Sequence, residues 1–271
     1  MNFNKKKIFR WLRILILIYC SIGIAIYYLQ DYFLFHPEKL DRSYQFKFNQ
    51  PFEEVNIPMN QEDTINMVKF FPKEKPYRGV VIYFHGNMKN VERFAPFADV
   101  FTKKGYEVWM PDYPGYGKST GKLTEEKLYQ QALQVQKLAM TAYHSDSIIL
   151  YGKSLGSGIA AYAAAGTTDK MLILETPYSS IPDIFGCYAF MYPVNRMINY
   201  KIPTVDYLQE VHIPVTILAG TSDWVIPHRC ASKLKRSLKA GDQFISISGA
   251  THHDLNKSMK YYQVIDSLLN R

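Results

Sequence analysis

The 271-residue sequence predicts an α/β fold with a mostly parallel sheet flanked by helices, and three observations carry that expectation. Short β-rich runs alternate with longer runs of helical spacing. Four of the short runs, VVIYF, SIILY, MLILE and VTILAG, are apolar throughout, as strands are when helices cover both faces of a sheet. The composition, 47% hydrophobic and 21% charged, supplies a core and excludes bulk disorder.

Taken in chain order, the first element is basic and then apolar. Lys5, Lys6, Lys7, Arg10 and Arg13 precede Ile14 to Gln30, a run of 17 residues without a charge. That length lies at the short end of the ~17–25 residues that cross a bilayer, and Trp11, Tyr27 and Tyr28 supply interfacial aromatics. A cleaved signal peptide and an amphipathic surface helix share parts of this pattern. No A-x-A-like site follows the run, and aromatics stand where a signal peptidase needs small residues, so residues 1–30 read as an uncleaved transmembrane anchor. With the positive cluster held in the cytoplasm, the remainder is expected outside it, as a single-pass membrane protein.

Residues 31–52 then read as a juxtamembrane linker and residues 53–271 as the folded domain. Eight strands are expected, at Glu53–Met59, Ile65–Phe71, Val80–Phe84, Glu107–Met110, Ile148–Tyr151, Met171–Glu175, Val215–Gly220 and Phe244–Ile247. Helical spacing covers Val91–Lys103, Glu125–Tyr143, Leu155–Ala165, Arg229–Lys239 and Asn256–Leu269. Two early strands ahead of this alternation predict an antiparallel start to the sheet. The proline- and aromatic-rich stretch at about 177–214 lacks a strand pattern and reads as a small cap over the strand ends, where such folds place their sites.

Charge and cysteine narrow the class. The chain carries 32 basic and 24 acidic residues, a net +8, but five of those excess charges belong to the N-terminal segment. The domain itself is close to neutral, which removes the support for a nucleic-acid partner. Cys20, Cys187 and Cys230 are too few and too scattered for a disulfide framework or a cysteine-based zinc site.

The strongest chemical motif is Gly152-Lys153-Ser154-Leu155-Gly156, between the strand ending at Tyr151 and the helical run that follows. This is a G-x-S-x-G nucleophile elbow in the strand–turn–helix setting the motif requires. The tight turn leaves no room for side chains at its flanks, exposes the Ser154 hydroxyl, and puts the Leu155 N–H where an oxyanion would form. Gly152-Lys153-Ser154 and Gly117-Lys118-Ser119-Thr120 also look like the end of a phosphate-binding loop. The glycine such a loop needs upstream is replaced by Ser147 and Asp112, so neither is a nucleotide site.

A nucleophilic serine needs a base and an orienting acid, in the order Ser, Asp or Glu, His. His252 and His253 follow the last strand, in Gly249-Ala250-Thr251-His252-His253-Asp254. His252 is the expected base, because Asp254 resembles the N-cap of the last helix and His253 its flank. Asp223, just after the strand Val215–Gly220, is the expected acid, with Asp206 as runner-up. The second oxyanion donor is expected in His85-Gly86-Asn87, as the Asn87 N–H, with Met88 the alternative; His85 is expected to brace that loop.

These pieces in this order resemble the α/β-hydrolase superfamily. More narrowly, HGNMKN, PDYPGYGKSTG, GKSLGSG, ETPYSS, GTSDWVIP and GATHHD together look like the small-capped serine hydrolases of the bud-emergence type. That group has mammalian relatives acting as protein depalmitoylases and is often N-terminally anchored. The resemblance covers roughly residues 53–271. It implies Ser154, Asp223 and His252 as nucleophile, acid and base, and Asn87 and Leu155 as oxyanion donors. At position 253 this chain has His where the relatives often have Asn. The expected activity is hydrolysis of carboxylic esters or thioesters through an acyl-enzyme, with no cofactor and no metal. A serine peptidase of prolyl-oligopeptidase-like type and a non-catalytic anchored binding module are the alternatives.

Overall fold

The β-rich runs form one eight-stranded sheet in the computed structural model, which describes residues 5–270. The strands are β1 (Phe52–Pro58), β2 (Thr64–Phe70), β3 (Gly79–Phe84), β4 (Tyr106–Pro111), β5 (Ile148–Lys153), β6 (Met171–Glu175), β7 (Val215–Gly220) and β8 (Gln243–Ile247). They lie in the order β8-β7-β6-β5-β3-β4-β2-β1. β2 runs against both neighbours, pairing Met67 with Val55 and Lys69 with Trp109. The other neighbouring pairs are parallel. The antiparallel start is where the sequence predicts it.

The helices include α1 (Lys5–Tyr28), α2 (Gln30–Leu34), α3 (Glu125–Ala142), α4 (Leu155–Ala164), α5 (Ile181–Tyr188) and α6 (Met259–Leu269). Every residue of β3, β5, β6 and β7 is buried. Alternate side chains of one strand enter opposite layers of core. Ile82, Leu150, Leu172 and Ile217 pack with Val135 of α3 and Ile159 of α4. Val81, Ile149, Ile173 and Leu218 pack with Phe101 and with Ile265 of α6.

Several local expectations are corrected. The predicted helix Val91–Lys103 is three short pieces, Val91–Phe94, a 3-10 turn Ala95–Ala98 and Asp99–Thr102, because Pro96 interrupts the helical ladder. The run Arg229–Lys239 is likewise one α turn, His228–Ala231, followed by 3-10 turns Ser232–Ser237. Asp254 does not cap the last helix, which begins at Met259; its Oδ1 accepts the Thr251 N–H at 2.6 Å and closes the preceding loop.

Residues 31–52 are held against the domain. His36–Pro37 pairs in parallel with Met88–Lys89, and the Leu40 N–H donates to the Gly117 carbonyl at 2.8 Å. Phe35 and Phe46 are buried, and Phe48 packs edge-on to Phe70 with ring centroids 5.1 Å apart. Aromatic burial thus fastens the stretch read as a linker. Between 177 and 214 the chain forms α5 and short turns at Val194–Met197, Thr204–Tyr207 and Leu208–Glu210, with the Ser180 hydroxyl capping α5. A disulfide joins Cys187 of α5 to Cys230 after β7, a cross-link that the scattered cysteine spacing did not suggest.

Candidate active site

β5 runs into the turn that carries Ser154, and α4 begins at the next residue. Ser154 has φ 51° and ψ −117°, a conformation costing on the order of 1–3 kcal/mol that surrounding bonds must hold. They do so from both sides: the Ser154 N–H donates to the Glu175 carbonyl at 2.9 Å, while the Ser157 N–H and hydroxyl donate to the Ser154 carbonyl at 2.8 and 2.6 Å. A Cβ on Gly152 would lie 2.4 Å from the Gly156 carbonyl oxygen, and one on Gly156 would lie 2.0 Å from that of Phe84. Both glycines are therefore required by close backbone approach.

The loops after β7 and β8 deliver the other two predicted groups. His252 Nε2 stands 3.0 Å from Ser154 Oγ, and His252 Nδ1 stands 2.8 Å from Asp223 Oδ2. Asp223 Oδ1 accepts the Val225 and Ile226 N–H groups, both at 2.8 Å, so the carboxylate is fixed before it meets the imidazole. All three side chains are buried. Asp206 is exposed on the cap turn Thr204–Tyr207, and His253 is exposed beside the Trp224 ring. Partial desolvation of the ring and the neighbouring His252 push the His253 pKa down.

Leu155 is the first residue of α4, where an N–H has no acceptor within the helix. A Cβ on Gly86 would lie 3.7 Å from Ser154 Cβ, so the Gly86–Asn87 peptide flanks the serine. That loop is braced on every side. His85 Nδ1 donates to the Gly86 carbonyl at 2.7 Å, and its Nε2 meets Asp112 Oδ1 at 3.1 Å. Burial raises the Asp112 carboxyl, although the His85 contact opposes that. The Tyr113 hydroxyl donates to the His85 carbonyl at 2.6 Å, and the Tyr116 hydroxyl to the Asn87 carbonyl at 2.8 Å. The Asn87 side chain donates to the Leu34 carbonyl at 2.8 Å, and the His36 N–H to the Asn87 carbonyl at 3.0 Å. The stretch that follows α2 thus holds the predicted oxyanion loop.

A buried polar cluster under the elbow escaped the sequence reading. Lys153, which precedes the serine, pairs with Glu175 at the end of β6, and the Tyr151 hydroxyl donates to the same carboxylate. The Tyr151 and Tyr261 hydroxyls lie 3.0 Å apart. Burial, reinforced by the Glu175 charge, keeps both phenols far above their ordinary pKa. Removing one partner of such a buried pair costs about 3–5 kcal/mol, because the other charge is left unpaired. The available signal was a charged residue at the end of each of two apolar strands, β5 and β6; their pairing depends on those strands being neighbours.

This sheet order, with the Ser154 turn after β5 and the loops of β3, β7 and β8 gathered around it, is that of the α/β-hydrolase fold. A family model described as "serine aminopeptidase, S33" matches residues 75–206. The chain is 27% identical over 241 residues to protein bem46 of Schizosaccharomyces pombe, covering 82% of this chain and 78% of that one. It is 25% identical over 199 residues to human α/β hydrolase domain-containing protein 17B, covering 70% and 66%. An esterase of Pyrococcus furiosus superposes with a TM-score of 0.68 at 16% identity, over 88% of this chain and 97% of that one. The chain has the α/β-hydrolase fold, and its sequence is similar to bem46 and 17B over most of its length.

Proposed function

We propose that the chain is a membrane-anchored serine hydrolase that cleaves carboxylic esters or thioesters, with Ser154 as nucleophile, His252 as base and Asp223 as orienting acid. The carrying observation is the unbroken contact from Ser154 Oγ through both His252 nitrogens to Asp223, at 3.0 and 2.8 Å. His252 Nε2 takes the Ser154 proton as Oγ attacks the acyl carbon, and Asp223 stabilises the resulting imidazolium. The Leu155 and Asn87 N–H groups receive the oxyanion. The imidazolium then gives its proton to the leaving alcohol or thiol, and water releases the acid from the acyl-enzyme by the same steps.

An aminopeptidase, the activity in the matched family's description, must hold its substrate's α-ammonium group with a carboxylate. The acids gathered around this site are already engaged: Asp223 by His252, Glu175 by Lys153, and Asp112 by His85. That favours esters over peptide amides, and a panel of acyl esters against aminoacyl amides separates the two. A fluorophosphonate probe should label the native chain and leave Ser154→Ala unlabelled; persistent labelling of the variant removes Ser154 from the role.

Anchoring rests on α1, a 24-residue helix long and apolar enough to cross a bilayer. The five N-terminal cations favour a cytoplasmic N-terminus. The Cys187–Cys230 disulfide suits a domain outside the cytoplasm, where thiols are not kept reduced.

A further inference from the structure

The outer half of α1 docks on the cap. Tyr19, Gly23, Ile26 and Gln30 form one stripe along the helix line at helical spacing. The Tyr19 ring stacks on Tyr192 with centroids 4.5 Å apart, and Tyr192 also lies against Gly23. The Tyr19 hydroxyl donates to the Met191 carbonyl at 3.1 Å, and the Tyr192 hydroxyl to the Tyr19 carbonyl at 2.8 Å. Gln30 accepts the Asn199 N–H at 2.6 Å. From Tyr19 to Gln30 is roughly 16 Å along a helix axis, about half of a ~30 Å hydrocarbon core.

The uncharged run Ile14–Gln30 is barely long enough to span. Leaving its docked half outside the bilayer would strand only Ile14–Ile18, far too short to cross. Whatever touches Tyr19 therefore enters the membrane with it. The cap tip is composed for that place. No residue from Ile184 to Asn195 carries a charge, yet Tyr188, Phe190 and Met191 are 58, 81 and 67% exposed. Its backbone is largely satisfied internally, by Ala189 N–H to Phe185 carbonyl, Tyr192 N–H to Ala189 carbonyl and Val194 N–H to Tyr192 carbonyl. Such pairing is what hydrocarbon demands. Beyond the tip, exposed Arg196 can reach lipid headgroups. Asp183, on its other side, pairs with Lys233 at 2.9 Å.

We propose that the cap tip Tyr188–Tyr192 is a wedge seated in the bilayer leaflet on the domain's side of α1, bringing the Ser154 site to the lipid surface. The patch leads directly there: the Tyr188 hydroxyl donates to the carbonyl of Trp224, which is 67% exposed and adjoins Asp223. The wedge rests on the anchoring reading of α1, and deepens it by fixing where the domain sits.

The test uses the full chain in phosphatidylcholine–phosphatidylglycerol vesicles. A nitroxide is attached at Met191→Cys in a Cys20→Ser background, with Lys73→Cys as an aqueous control. The expected result is flotation with the vesicles, with the label at 191 relaxed by lipid-soluble oxygen and shielded from a water-soluble nickel chelate. A chain that does not float overturns anchoring and wedge together. Flotation with a label open to the chelate overturns the wedge alone, as does a label shielded from both reagents, which would mean that a protein surface covers the tip. A second arm compares Phe190→Asp/Met191→Asp with the native chain. Turnover of a vesicle-borne acyl ester should fall at least about tenfold, the loss expected when two apolar side chains leave lipid. Turnover of a soluble short-chain ester should stay within about twofold. Equal loss on both esters, or loss on neither, overturns the proposal.

Discussion

The imidazole of His252 is held at both nitrogens, by Asp223 and by Ser154, whereas His253 faces solvent against Trp224. The proposed base must be oriented as well as basic, and the Asp223 contact, itself fixed by two backbone N–H groups, would supply that orientation. His253 makes no hydrogen bond or ion pair with a carboxylate among the described residues, and its pKa is pushed down by partial desolvation and by His252. His252→Ala should therefore lose on the order of 10³-fold or more in kcat, the usual consequence of losing a triad member. His253→Ala should stay within roughly tenfold. Steady-state kinetics on a soluble ester check the ranking, and the reverse order would transfer the role to His253. In the sequence, only the inferred cap at Asp254 separated the two histidines. Asp254 instead closes the loop through Thr251, so the argument for His252 rests on its contacts with Asp223 and Ser154 and not on that cap.

Among elements, the segment just after α2 does the least expected work. His36 and Glu38 donate backbone N–H groups to the carbonyls of Asn87 and Lys89, both at 3.0 Å, and the Leu34 carbonyl receives the Asn87 side chain. Lys89 has φ 63°, so the loop needs outside support to keep its shape. Removing residues 1–28 should spare this tie and leave kcat on a soluble ester within about twofold, while removing residues 1–40 should lower it by about 10²-fold or more, the loss expected from one displaced oxyanion donor. Equal activity of the two truncated forms would show that the tie does not govern the donor. Sequence legibility divides along the same line. The strands VVIYF, SIILY, MLILE and VTILAG announce themselves because burial on both faces leaves no polar position. The 36–40 tie is made by backbone groups, which every residue carries, and so leaves no mark in residue type. Lys153 and Glu175 are visible as charges, but their pairing requires the β5–β6 register.

For the whole molecule, with α1 as the proposed membrane span, its orientation decides which compartment the Ser154 site faces. Lys5, Lys6, Lys7, Arg10 and Arg13 precede the apolar run. The flank beyond it balances Asp31, Glu38 and Asp41 against Lys39, Arg42 and Lys47. Cations near a span resist transfer, so the neutral side should cross and the N-terminus should stay. The cysteines give an independent reading of the same question. Cys187 and Cys230 are bonded, while Cys20 is free on the exposed face of α1. A thiol pair placed in the cytoplasm would be kept reduced. In a bacterial host expressing the full chain, protease added to spheroplasts should digest the domain and spare a tag at residue 1. A maleimide mass tag applied after denaturation should add once to Cys20, and to all three cysteines only after reduction. Protection of the domain together with three reactive thiols would place the site in the cytoplasm and turn the span around. A digested domain with three reactive thiols would leave the orientation standing and remove the disulfide from the argument for it.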